Sequence, residues 1–216
     1  MKKIMFLLFA MATLTLAADP LCLIENGKFT RKGYWLRELQ NAVESADGVT
    51  FNGKDTAVWI KLNKFAENIQ EFSIVANIVV DELPAKGTAA IVNRPGYHNL
   101  FGVDNLGRIH YSIYGADKAT RQFLYSKTKV KAGDKIQIAS VIEKVDEEEF
   151  DIILYINGVE ESRKTMYRAI FPYNRDNFHI GSLSMKIQPG TLFCGKIINM
   201  YVAEEALDED TIVGLK

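Results

Sequence analysis

Between Phe150 and Ile156 an apolar side chain stands at every second position, and Asn157-Gly158 follows at once. Phe150, Ile152, Leu154 and Ile156 form one set, and Asp151, Ile153 and Tyr155 form the other. Successive side chains of an extended chain point to opposite faces, so this pattern predicts a mostly buried β-strand. Asn and Gly both tolerate positive φ, which a two-residue primed turn demands. The chain is therefore expected to reverse into a partner strand beginning near Val159. That partner, Glu160 to Lys164, is polar and suits a sheet edge.

The same period recurs along the chain. Val58, Ile60 and Leu62 alternate with Trp59 and Lys61, and Phe72, Ile74, Ala76, Ile78 and Val80 alternate with Ser73, Val75, Asn77 and Val79. These are expected to be strands with one buried face. Leu100 to Val103 and Arg108 to Tyr114 flank the turn signal Asp104-Asn105-Leu106-Gly107. In the second arm Ile109, Tyr111 and Ile113 share one face, and Arg108, His110, Ser112 and Tyr114 share the other. Ala89 to Val92, Lys135 to Val145, Phe178 to Ile180 and Gly195 to Val202 add further strands, and the acidic run Asp146 to Glu149 suits a solvated hairpin tip. So many hairpin-linked strands predict an all-β fold, a two-sheet antiparallel β-sandwich. Helical signals are short. Trp35, Leu39 and Val43 would share a face if Tyr34 to Ala46 were helical, and Asp208 can cap a final turn with Glu209 and Asp210 at its positive end.

Residues 1–18 carry Lys2 and Lys3, an apolar run from Ile4 to Ala12, and small residues at Thr15 and Ala17, the layout of a secretory signal peptide. Cleavage is expected after Ala17 or Ala18, leaving residues 19–216 as one domain that is secreted or periplasmic, with no membrane span after cleavage. With Lys2 and Lys3 gone from 26 basic residues, the 27 acidic ones leave a slight negative balance. A nucleic-acid binder would instead show a basic stripe or patch.

The order of these segments resembles laminin G-like domains of the concanavalin A-like lectin and glucanase superfamily. The resemblance rests on Leu154 to Gly158, Phe178 to Gly181, Gly195 to Val202 with Ala206 to Asp208, the early strand Glu71 to Ala76, and the strand-turn-strand unit Phe101 to Ile113. It covers residues 50 to 216, with one further strand expected from residues 19 to 49. It implies a jelly-roll sandwich used for recognition of glycans or extracellular proteins, sometimes with calcium at the rim. Such domains commonly bring their first and last strands together, so the resemblance makes a Cys22–Cys194 disulfide reasonable in an exported chain. Two unconnected thiols are the alternative.

Some relatives are glycoside hydrolases, whose paired carboxylates in a Glu-x-Asp-x-x-Glu strand flank the scissile bond. This chain lacks that motif: Glu143 to Glu149 has the wrong spacing. His98, His110 and His179 lie in separate segments without metal-ligand spacing, and no nucleophile elbow is present. The expectation is a non-catalytic domain that binds carbohydrate. A protein-interaction or envelope-structural domain is the alternative, and an unusual glycosidase is a lesser one.

A sugar site pairs an exposed aromatic ring with groups that hydrogen-bond hydroxyls. Arg94, Tyr97, His98 and Asn99 concentrate both in one turn-rich segment, although Tyr97 could equally pack on the sandwich edge. Trp59 stands on the open face of its strand or under a covering loop, and Tyr114 lies on the polar face of its own. Calcium needs six to eight oxygens. Asp104, Asn105, Asp176 and Asn177 are the rim candidates, with turn formation as their other role.

Overall fold

A computed structural model describes residues 19–62, 71–94, 99–114, 121–167, 177–184 and 188–215. Its strands are β1 (Leu21–Glu25), β2 (Lys28–Phe29), β3 (Tyr34–Gln40), β4 (Val43–Ser45), β5 (Gly48–Asn52), β6 (Ala57–Leu62), β7 (Phe72–Glu82) and β8 (Thr88–Arg94). They continue with β9 (Asn99–Asp104), β10 (Arg108–Tyr114), β11 (Arg121–Lys129), β12 (Lys135–Lys144), β13 (Glu149–Ile156), β14 (Val159–Tyr167), β15 (Asn177–Ile180) and β16 (Cys194–Ala203). One short helix, α1 (Glu209–Gly214), follows. No described helix is long and apolar enough to cross a membrane.

The strands form two antiparallel sheets, the expected sandwich. One has the order β14-β13-β12-β7-β16-β1-β2, with β5 also pairing with β16 and β4 pairing with β5. The other has the order β11-β10-β9-β8-β15-β6-β3. The alternating apolar sets meet between them: Phe72, Ile74, Ile78, Ile152 and Leu154 from the first sheet pack with Val58, Ile60, Phe101, Tyr111 and Phe178 from the second in one core. Asn157 and Gly158 take φ of 52° and 79°, and β14 is an edge strand, both as their composition predicts. The β12–β13 tip is held by Asp146, whose Oδ1 accepts from the Glu148 and Glu149 amides at 2.8 Å.

The first sheet is not open on its outer side. Val75, Ala139, Val141, Ile153 and Tyr155 point away from the main core and are covered by Leu207 and Ile212 of the C-terminal segment. The expectation of one buried face therefore fails for the middle of β7. Asp208 caps α1 by accepting from the Thr211 amide at 2.7 Å, and Gln137 Nε2 donates to the carbonyls of Ile212 and Leu215 at the other end.

Residues 34–46 are a correction. They form β3 and β4 rather than a helix, because β3 pairs with β6 so that Tyr34 and Leu36 turn inward. The proposed helical face is instead exposed: Trp35 is 69% and Val43 61% accessible. Residues 19–49 supply four whole strands and the start of β5, more than the one strand expected.

The disulfide is a second correction: Cys22 and Cys194 are free. The first and last strands do pair, but Cys22 lies opposite Tyr201, seven positions along β16 from Cys194. At the rise of an extended strand that is about 20 Å. A bridge requires Cα atoms within roughly 7 Å.

The sandwich is tied along one edge by Glu161 of β14. Its buried carboxylate accepts from the amides of Lys127 and Thr128, both at 2.8 Å, and from the Thr128 hydroxyl at 2.6 Å. Burial pushes its pKa up, but these hydrogen bonds prevail and hold it below the ordinary carboxylate value. Glu161→Ala strands two main-chain donors and is expected to cost about 2 kcal/mol. A fall in the urea midpoint at constant m would show this; an unchanged midpoint would refute it.

Candidate functional site

The outer face of the seven-stranded sheet is built from alternate residues of β6, β15, β8, β9, β10 and β11. One cross-strand row runs Trp59, His179, Asn93, Leu100, Ser112, Phe123, each residue in register with the next. The middle of this row is withdrawn from water: Asn93, Leu100 and Ser112 are buried, and the Asn93 amide donates to the Leu183 carbonyl. Accessible aromatic surface lies at both edges of this sheet: Trp35 stands alone on β3, and at the β10–β11 flank Phe123 and Tyr125 are each more than a third exposed.

That flank is a ladder of flat groups. The Arg108 guanidinium lies 4.2 Å from the Tyr125 ring centre, and Tyr125 stacks on His110 at 4.8 Å with 10° between planes. His110 stacks on Phe123 at 5.7 Å and 13°. Arg121 then covers Phe123 at 4.7 Å and approaches Tyr114 at 5.4 Å. Strand pairing sets this order. His110 is opposite Tyr125, Ser112 opposite Phe123 and Tyr114 opposite Arg121, so neighbouring rings sit at the spacing of adjacent strands. Ser112 leaves the gap that Arg121 fills, and Arg121 Nη2 donates to the Ser112 hydroxyl at 2.7 Å.

Charge along the ladder is uneven. Asp104 pairs with Arg108 at 2.7 Å, and its Oδ1 also accepts from the Leu106 and Arg108 amides at 2.9 Å. Burial acts to raise the Asp104 pKa, but hydrogen bonds from Arg108 and Leu106 outweigh it and leave the group below the ordinary value. His110 is driven down to about 4, first by burial and then by the positive charge of Arg121. At neutral pH it is an uncharged ring between two others.

The expected site residues are dispersed. Arg94 and Asn99 are buried and lie opposite each other at the ends of β8 and β9, with Arg94 5.8 Å from the ring centre of the core residue Phe178. Both side chains turn toward the interior. Tyr97 and His98 lie outside the described residues. Trp59 stands on the outer face, half-buried, with its ring edge-on to His179 at 6.0 Å. Among the described residues, Tyr114 is the one expected residue that joins the ladder.

Asp104 and Asn105 end β9 at one end of the sheet, where Asp104 faces Thr88. Asn177 begins β15 at the other end, two residues beyond the level where His179 faces Asn93. Strand rise puts these levels roughly 20 Å apart, too far to share an ion. Asp176 lies outside the described residues. No group of three or more carboxylate, histidine or cysteine side chains able to hold a metal occurs among the described residues.

Phe123, Tyr125, Arg108 and Arg121 were not candidates. Phe123-Leu124-Tyr125 is apolar at three successive positions, which hides the two-residue period. The usable signal is the pair Phe123 and Tyr125 on one side of Leu124, facing the alternating His110, Ser112 and Tyr114 of a neighbouring strand.

Among solved structures, the chain is similar to the binding domain of botulinum neurotoxin serotype D/C, with a TM-score of 0.63 and 14% identity over 91% of this chain and 51% of that one. It is also similar to Trypanosoma rangeli sialidase, with a TM-score of 0.62 and 19% identity over 90% of this chain and 32% of that one. The chain thus spans about half of the first and a third of the second, and the fold is shared by a binding domain and an enzyme. A comparison with curated proteins found no match. A family model described as the concanavalin A-like lectin/glucanases superfamily matches residues 52–213, and the chain belongs to that superfamily.

Proposed function

We propose that this chain is an exported, non-catalytic carbohydrate-recognition domain whose ligand lies on the β10–β11 ladder. The observation that carries this reading is the exposure of Phe123 and Tyr125 on a face where both rings are held flat by stacking. Each ring has its two faces covered by its neighbours in the ladder, so a ligand meets a fixed row of ring edges, which loses little freedom when an apolar surface settles across it. Arg108 and Arg121 at its ends supply donors for hydroxyl groups. The lectin-like fold supports the same reading.

Recognition without catalysis is supported by the composition of the face. Asp104 is its one carboxylate among the described side chains, and Arg108 with two main-chain amides holds both oxygens. Among the described residues a glycosidase pair has no second member there. The test is a glycan-array screen of residues 19–216 with and without calcium, followed by titration of the best hit. Tyr125→Ala is expected to weaken binding at least tenfold, about 1.4 kcal/mol, measured at a temperature where the variant is fully folded. Failure to bind any glycan would overturn the proposal.

A further inference from the structure

We infer that the ligand of this ladder is an acidic glycan, carrying carboxylate or sulfate groups, which Arg121 and the lysines of β11 select over neutral sugars. The inference rests on the carbohydrate reading above and adds the ligand's chemical class.

Its first support is where charge sits. The chain as a whole has a net charge of −1, yet the segment from Arg121 to Lys131 holds Arg121, Lys127, Lys129 and Lys131 and no acid. Lys129 faces Arg108 directly across the strands, which brings a fifth cation to the same flank. Among the described residues two carboxylates lie close by, and both are turned to structural work. Asp104 is paired with Arg108, and Glu161 is spent on the amides and hydroxyl of β11. The flank therefore keeps a positive excess that overall composition conceals.

The second support is the state of Arg121. Among the described residues it meets no carboxylate; its side-chain partner is the Ser112 hydroxyl, and its Nε is buried without a partner. A guanidinium needs no carboxylate on an open surface, but this one is pinned between Phe123 and Tyr114 with part of its hydration already removed. A planar, weakly hydrated cation in a fixed orientation is suited to a two-point hydrogen bond with a carboxylate or sulfate. The exposed ring edges beside it would carry the sugar's apolar surface, and Lys127 and Lys129 would meet the next charged residue of a polymer by longer-range attraction. That attraction weakens beyond about 8 Å at physiological salt.

The experiment titrates the chain with dextran, dextran sulfate and polygalacturonate fragments of matched length at low and high sodium chloride. At least one acidic polymer is expected to bind ten times more tightly than dextran, with the advantage shrinking as salt rises. Preference for one acidic polymer tells sulfate from carboxylate. Arg121→Gln is expected to remove most of that advantage, Arg121→Lys part of it, and Lys28→Gln on β2, at the opposite edge of the other sheet from β14, none. The double change Lys127→Gln and Lys129→Gln provides a second route should Arg121→Gln melt early. Equal affinity for all three polymers, lost in Tyr125→Ala but kept in Arg121→Gln, would overturn the charge selection and leave the carbohydrate site standing. No binding of any polymer would overturn both.

Discussion

Gly181→Ala is expected to destabilise the protein by about 3 kcal/mol or more, the sum of a left-handed backbone cost and an overpacked core. Gly181 ends β15 with φ of 77°, a conformation that an L side chain adopts at a cost. It is held there from both sides: its amide donates to the Ile91 carbonyl at 2.8 Å and its carbonyl accepts from the Phe193 amide at 3.0 Å. A Cβ at this position would overlap the ring of Phe51, which is fully buried and packs against Phe193. The ring has no free volume to move into, so backbone or core must shift. Gly133→Ala is the control, with φ of 91° but nothing within 4 Å of the added Cβ. It isolates the backbone cost at about 1 kcal/mol. In a domain of this size the first change corresponds to a fall in melting temperature of about 10 °C, and the second to a few degrees. Equal melting temperatures for the two variants would show that the contact with Phe51 is not limiting.

The second large effect is a loss of stability on mild acidification that His110 carries. In the folded protein its pKa is lowered to about 4, against an ordinary value of 6.5. Burial between Phe123 and Tyr125 is the main cause. Arg121 and Arg108 repel the added charge, and Asp104 opposes them only in part. Because the unfolded chain takes up the proton first, the native state holds its full margin above pH 6.5 and loses it as pH falls toward 4. Over that interval the loss is about 3 kcal/mol, with the penalty complete below the folded pKa. His110→Phe keeps a flat ring in the stack and removes the proton site. Urea unfolding at half-unit steps from pH 7 to pH 4 is expected to give a slope shallower by close to one proton in the variant. Parallel curves would mean that another group carries the acid sensitivity. His179, also lowered by burial, contributes the same direction to both proteins and cancels in the comparison.

Most of the sandwich is legible one strand at a time. Asn157-Gly158 and Asp104 to Gly107 name their hairpins because positive φ and side-chain-to-amide hydrogen bonds are local needs, met by the same residues wherever the turn lies. Asp208 marks the start of α1 for the same reason. Tyr34 to Ser45 is not legible, since its apolar residues fit a helical stripe as well as a strand. Pairing of β3 with β6 decides between them. The candidate site divides in the same way. Tyr114 is found because Arg108 to Tyr114 alternates cleanly, but Phe123 and Tyr125 flank a core leucine and merge with it into one apolar run.

What the sequence determined by itself is what one strand or one turn can specify: which residues extend, which face of each turns inward, and where the chain reverses. Those choices depend on side-chain period and backbone strain within a few residues. Only the tertiary structure decided what stands beside what. It set Cys22 opposite Tyr201 instead of Cys194, turned Arg94 and Asn99 toward the core, and interleaved Arg108, Tyr125, His110, Phe123, Arg121 and Tyr114 into one ladder. Register between strands sets each of these, and register is a property of the paired sheet rather than of either strand alone.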